Sequence, residues 1–185
     1  TCRIMTYGAV VVLCGPVNSG KSTLFNSLVG SERAIVNREP GTTRDLLEAL
    51  IIIDGVPITL VDTAGLRETA DDVEMEGVRR ARDYMNKADL VCVINDITIG
   101  SALVEVTDYT LLKKNYIVNI YNKIDLIQKK DVEEFRGLFK PGLFTSALTG
   151  VGLDELKNHI VTTLDLESNS SENFGITTPQ KKDHD

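Results

Sequence analysis

The residues best suited to chemistry in this chain are Gly15-Pro16-Val17-Asn18-Ser19-Gly20-Lys21-Ser22, which carry the full spacing G-x-x-x-x-G-K-S. The apolar run 9–14 precedes them, and 21–29, with Leu24, Phe25 and Leu28, follows. Strand, glycine-bounded loop and helix are therefore predicted, the setting in which such a loop cradles phosphate. The glycines let successive N–H groups turn inward, and the helix start adds its positive dipole end. Lys21 supplies a point charge for the outer phosphates and Ser22 a hydroxyl for Mg²⁺. Asn18, Ser19, Gly20, Lys21, Ser22 and Thr23 are the expected contacts of a nucleoside triphosphate. A glycine-rich turn matching by chance would lack the strand before it and the helix after it.

Four further stretches complete the set. Asp62-Thr63-Ala64-Gly65 ends an apolar run, where Asp62 can hold Mg²⁺ through water and the Gly65 N–H can meet the terminal phosphate. Thr42 and Thr43 lie between this stretch and the phosphate loop, and a hydroxyl there could complete the Mg²⁺ shell. Composition does not decide which of the two does so. Asn122-Lys123-Ile124-Asp125 selects a base. Guanine offers two adjacent donors, N1–H and its 2-amino group, to the two oxygens of one carboxylate, and adenine would leave Asp125 unpaired. The stem of Lys123 can lie along the base. Ser146 and Ala147 are placed for their N–H groups to meet the guanine oxygen.

These motifs need strand ends to position them. Ala9–Cys14, Leu46–Ile53, Ile58–Asp62, Ala88–Asp96, Tyr116–Tyr121 and Leu143–Thr145 read as strands. Helices are expected over Lys21–Val29, Val73–Asn86, Leu103–Lys113, Asp131–Leu138 and Leu153–Leu164, the first ending at Gly30. Asp54-Gly55-Val56-Pro57 is a hairpin connection, Asp-Gly being a strong signal. Strands alternating with helices imply an α/β fold of the P-loop NTPase, Ras-like type: three layers around a mostly parallel six-stranded sheet with one antiparallel strand. The motifs then cluster outside the carboxyl ends of the strands, where such sheets bind ligands.

Length suits one domain, expected over 1–165, with 166–185 a polar linker or disordered tail. A net charge of −7 with pI near 4.9 argues against a strong nucleic-acid surface, although Arg79, Arg80 and Arg82 cluster. Cys2, Cys14 and Cys92 form no metal-ligand spacing, and two of them sit in apolar runs as buried thiols do. No apolar run approaches the roughly 18 residues of a membrane span. A reducing, cytoplasmic setting is the expectation.

Taken together, the chain resembles the G domain of the TrmE/MnmE family of tRNA-modification GTPases, within the Era-like GTPases of the TRAFAC class. The narrower match rests on Gly41-Thr42-Thr43-Arg44-Asp45, on Asp62-Thr63-Ala64-Gly65-Leu66-Arg67-Glu68, on Asp72-Val73-Glu74, and on Ser146-Ala147 with Gly150 and Gly152. It runs from about Val10 to Leu164; the family's folate-binding and helical domains have no counterpart within these residues. The family begins its loop G-x-P-N, whereas here Pro16 sits one position earlier, which removes no ligand. Leu66 stands where many GTPases carry a water-orienting glutamine. The resemblance implies that Glu74 positions water instead, and that Ser22, Thr43 and Asp62 hold Mg²⁺. It implies a K⁺ site with Asn18 as side-chain ligand, shielded by Asn37, Glu39 and Thr42, the ion neutralising charge in place of an arginine finger. It further implies a homodimer of G domains in the active state, a flavin-dependent tRNA-modification partner, and tRNA reached through the complex. Two rival readings are an Era/Der-like switch in ribosome assembly and an ATP-dependent P-loop kinase, the latter opposed by Asp125.

Overall fold

The computed structural model describes residues 8–32, 47–63, 84–102 and 116–172. Its elements are β1 (Ala9–Cys14), α1 (Lys21–Ser31), β2 (Leu47–Ile53), β3 (Val56–Asp62), β4 (Leu90–Asp96), β5 (Ile117–Asn122), α2 (Lys129–Leu138), β6 (Gly142–Phe144) and α3 (Leu153–Glu172). The six strands form one sheet in the order β2-β3-β1-β4-β5-β6. β1 lies parallel to both neighbours, β4–β5 and β5–β6 are parallel, and only β2 runs antiparallel, against β3. The expected α/β architecture is present.

The apolar runs explain the sheet. β1 and β4 are buried on both faces, as parallel strands covered by helices must be. On one face Val11, Leu13, Leu60, Cys92, Ile94 and Ile120 pack with Leu24 and Leu28 of α1 and with Leu156, Ile160 and Leu164 of α3. On the other, Val12, Cys14, Val61, Val91 and Val93 meet Tyr84 and Met85. A third cluster fastens α2, which contains no buried residue of its own. Its Phe135 stacks on Phe139, whose ring stacks on Tyr121 at 5.1 Å, and the guanidinium of Arg136 lies 4.5 Å above the Phe144 ring.

The amino ends of the central strands are tied as well. An Asp89 carboxylate oxygen accepts from the Val10 N–H at 2.8 Å, while the Asp89 N–H donates to the Val10 carbonyl at 2.8 Å. Cys14 and Cys92 are buried, and the Cys14 thiol donates to the Cys92 carbonyl. Burial and then the neighbouring Cys14 push the Cys92 thiol far above its ordinary pKa, so it stays protonated.

Boundaries shift in several places, with β4 beginning at Leu90 rather than Ala88, β5 spanning Ile117–Asn122 and β6 Gly142–Phe144. The hairpin turn is Asp54-Gly55 alone, with φ of 48° and 81°. Two left-handed residues give the turn whose twist matches the strands it joins, so Val56 and Pro57 belong to β3. Pro57 is tolerated there as the second residue of its strand. Gly30 does not end α1, which runs on to Ser31. α2 begins at Lys129 rather than Asp131. The last helix continues past Leu164 to Glu172, into the stretch read as linker, because propagating an established helix needs only one ordered residue per added hydrogen bond. The expected helix at 103–113 and the arginines at 79–82 lie outside the described residues, as does most of the helix expected over Val73–Asn86, of which 84–86 are described and helical, the helix running on to Lys87. No helix among the described residues is long and apolar enough to cross a membrane.

Ile120 is fully buried at the centre of the main cluster, whereas Leu126 is exposed. Ile120→Ala is expected to cost about 2–5 kcal/mol, and Leu126→Ala no more than about 0.5 kcal/mol, both read from urea unfolding midpoints.

Candidate nucleotide site

The carboxyl ends of β1, β3, β4, β5 and β6 meet on one side of the sheet, and each carries polar side chains there. The loop after β1 approaches its neighbours closely. A side chain at Gly15 would fall on the Ile94 carbonyl, and one at Gly20 on the Asn122 side-chain nitrogen. Gly15 and Gly20 also adopt φ of 142° and 94°, so both glycines are required by space and by conformation. Asn18 has φ 62° and an exposed side chain at the tip of the loop. Asparagine is one of the few residues other than glycine that enters this region at modest cost.

Lys21 opens α1 and is nearly buried; its ammonium reaches back to the Pro16 carbonyl at 2.6 Å. Ser22 donates its hydroxyl to the fully buried Asp62 carboxylate at 2.7 Å, linking the helix start to the end of β3. The next residue, Thr63, donates its hydroxyl to the Leu13 carbonyl at 2.9 Å and so fastens β3 to β1 at the same end. Thr23 is exposed on α1.

Asn122 joins three loops. Its buried amide donates to the Ser19 carbonyl at 3.0 Å and accepts from the Ala147 N–H at 2.9 Å and from the Thr145 hydroxyl. Asp125 starts from a short 3₁₀ turn, Ile124–Leu126, and receives the hydroxyl of buried Ser146 at 2.5 Å. That bond orients a carboxylate which is otherwise exposed. Lys123 has φ 71°, and its ammonium lies 2.6 Å from the carboxylate of Asp96 at the end of β4. Burial opposes ionisation of Asp96, but hydrogen bonds from Lys123 and Thr98 and the Lys123 charge outweigh it, so its pKa lies below the ordinary 3.8. A depressed carboxylate stabilises the fold above its ordinary pKa, and that contribution fades only as the pH falls below 3.8.

The chemistry of these groups fits magnesium. Ser22 and Asp62 present hard oxygen donors side by side at a helix start, and no cluster of three or more His, Cys, Asp or Glu exists among the described residues. Two protein ligands with the remaining positions left to phosphate and water is the arrangement Mg²⁺ favours. Sequence reasoning reached Lys21, Ser22, Asp62, Asn122, Lys123, Asp125, Ser146 and Ala147, and the structure brings all of them to one side of the sheet. Asp96, Thr98 and Thr145 escaped it. A carboxylate closing a buried strand at the ligand-binding edge was the available signal for Asp96. Asn37, Glu39, Thr42, Thr43, Gly65, Leu66 and Glu74 lie outside the described residues.

Residues 10–123 match the protein family described as 50S ribosome-binding GTPase. The chain belongs to this GTPase family. The GTPase is also similar to tRNA modification GTPase MnmE of Natranaerobius thermophilus, 41% identical over 160 residues, and of Alkalilimnicola ehrlichii, 42% identical over 158. Each alignment covers 85% of this chain and 35% of the relative, so the chain spans about a third of the length of the curated relatives it matches. Among solved structures, the G domain of the T. maritima FeoB iron transporter aligns with TM-score 0.56 and 32% identity over 84% of this chain and 98% of that one. Aquifex aeolicus Era bound to GDP and AlF4⁻ aligns with TM-score 0.65 and 27% identity over 84% of this chain and 56% of that one.

Asn122→Ala would leave the Ser19 carbonyl and the Ala147 N–H without this partner. The nucleotide-free protein is expected to lose about 2–4 kcal/mol of stability, measured by guanidinium unfolding, and guanine-nucleotide affinity is expected to fall with it.

Proposed function

We propose that this GTPase is K⁺-stimulated and forms the G domain of an enzyme that modifies the wobble uridine of tRNA. The observation that carries the nucleotide chemistry is the meeting of the Ser22–Asp62 pair with the Asn122–Asp125 loop on one edge of the sheet. The MnmE relatives support the tRNA assignment by their name, and the motif residues 62–74 support it by type.

In this reading water attacks the γ-phosphorus, the bond from it to the β–γ bridging oxygen breaks, and GDP and phosphate leave, with the water's protons passing to the phosphate product. Lys21 and the inward N–H groups of 15–22 take the outer phosphates and the charge that builds on them. Asp125 receives the two guanine donors, pre-set by Ser146. Ser22, Asp62 and Thr43 are assigned to Mg²⁺, which when bound neutralises phosphate charge and helps orient the leaving group. Leu66 carries no polar atom, so Glu74 is assigned to position the water. Asn18, with Asn37, Glu39 and Thr42 around it, is assigned to K⁺. A second G domain completes the site, and a flavin-dependent partner and tRNA are engaged by the larger protein. The Era/Der-like reading gains no support from an Era neighbour that is similar in fold and less similar in sequence than the MnmE relatives.

Turnover is expected to be faster in KCl than in NaCl at equal ionic strength; equal rates would remove the K⁺ assignment. Glu74→Ala is expected to bind GTP normally and lose turnover by roughly 10²-fold or more. Asp125→Asn exchanges one acceptor for a donor, so affinity should move from GTP toward XTP in a competition assay. Recovery of ribosomal subunits, rather than a flavoprotein, in a pull-down from cells would favour the assembly switch.

A further inference from the structure

We propose that Asp96 is a positioning residue for guanine, acting through Lys123: its carboxylate anchors the ammonium so that the lysine stem is fixed beside the phosphate loop before a nucleotide arrives. The proposal rests on the guanine-nucleotide reading of this site. Asp96 is the last residue of β4 and stands in register with Asn122 on β5, the residue immediately before Lys123. Its two oxygens have different tasks. One accepts the Lys123 ammonium at 2.6 Å, and the other accepts the Thr98 N–H at 2.9 Å and the Thr98 hydroxyl at 2.6 Å. The carboxylate is therefore oriented by its own turn, independently of the lysine it holds.

Lys123 needs such an anchor. A left-handed backbone is unfavourable for a residue with a Cβ, by about 1–2 kcal/mol, and a free lysine side chain carries about 2 kcal/mol of rotamer entropy. The Lys123 side chain is partly exposed, at 28%, so its surroundings alone would not confine it. Tied to Asp96, its Cε lies 4.0 Å from where a Cβ on Gly20 would be. The methylenes thus pass over the phosphate loop at the point where the Asn122 amide also reaches it. Confinement before binding removes an ordering cost that the nucleotide would otherwise have to offset. An apolar stem held in place serves the face of a base, while Asp125 serves its edge.

The test uses the 185-residue protein and GDP carrying a fluorescent ribose label, with affinity and off-rate measured by stopped flow. Asp96→Asn keeps the size of the side chain and an acceptor for Thr98 but removes the charge. It is expected to weaken GDP binding roughly tenfold, mainly through the off-rate, with only a small fall in the unfolding midpoint of the nucleotide-free protein from the lost ion pair. Thr98→Val, which leaves both members of the ion pair, is expected to give a smaller loss in the same direction. In a Lys123→Met background Asp96→Asn should cause no further loss. GDP affinity unchanged by Asp96→Asn, or a loss of equal size in the Lys123→Met background, would overturn the proposal. Failure of the parent protein to prefer GDP over ADP would overturn the guanine reading itself.

Discussion

One buried amide carries the architecture of this site. Asn122 has four hydrogen-bonding capacities in a place water does not reach, and three of its bonds run to different segments: the phosphate loop, the end of β6 and the loop beyond it. A buried polar group of this kind is expensive to leave unpaired, so the three segments are constrained to one mutual arrangement. The consequence reaches Gly20, where the amide nitrogen occupies the space a side chain would need. The glycine of a phosphate loop is ordinarily explained by its φ angle; here the asparagine supplies a second and independent reason.

The same constraint explains how the site can be rigid while its parts are remote in sequence. Ser19 and Asn122 are 103 positions apart, Ser22 and Asp62 are 40 apart, and Ser27 donates to the Ala147 carbonyl across 120. The first joins the phosphate loop to the end of β5, the second the start of α1 to the end of β3, and the third the body of α1 to the loop after β6. The parallel sheet makes this economical, since all its carboxyl ends but that of β2 fall on one edge. Hydrophobic burial sets the positions of the strands, and a handful of polar bonds sets their ends.

Much of this was legible in the sequence because it is local. A loop with four fixed positions between an apolar strand and an amphipathic helix, an Asp-Gly hairpin, and a carboxylate three residues after an asparagine are patterns within a short window. What escaped was either a boundary or a partnership. Gly30 suggested the end of α1, but an exposed glycine with nothing near it costs a helix little over its last turn. Val56 and Pro57 looked like turn residues by composition, yet the two left-handed residues before them already complete the reversal. Asp96 was read only as the close of a strand, because its lysine lies 27 positions away and no periodicity connects them. Ser146 was found for its backbone; that its hydroxyl aims Asp125 required coordinates.

The paired bonds between Asp89 and Val10 lie at the opposite edge of the sheet from the nucleotide site. They clamp the amino ends of β1 and β4 together with a side chain as well as a backbone bond. β1 is thus held at both ends, by Asp89 at one edge and through Thr63 and the Ser19–Asn122 bond at the other, so the phosphate loop departs from a strand with little room to shift.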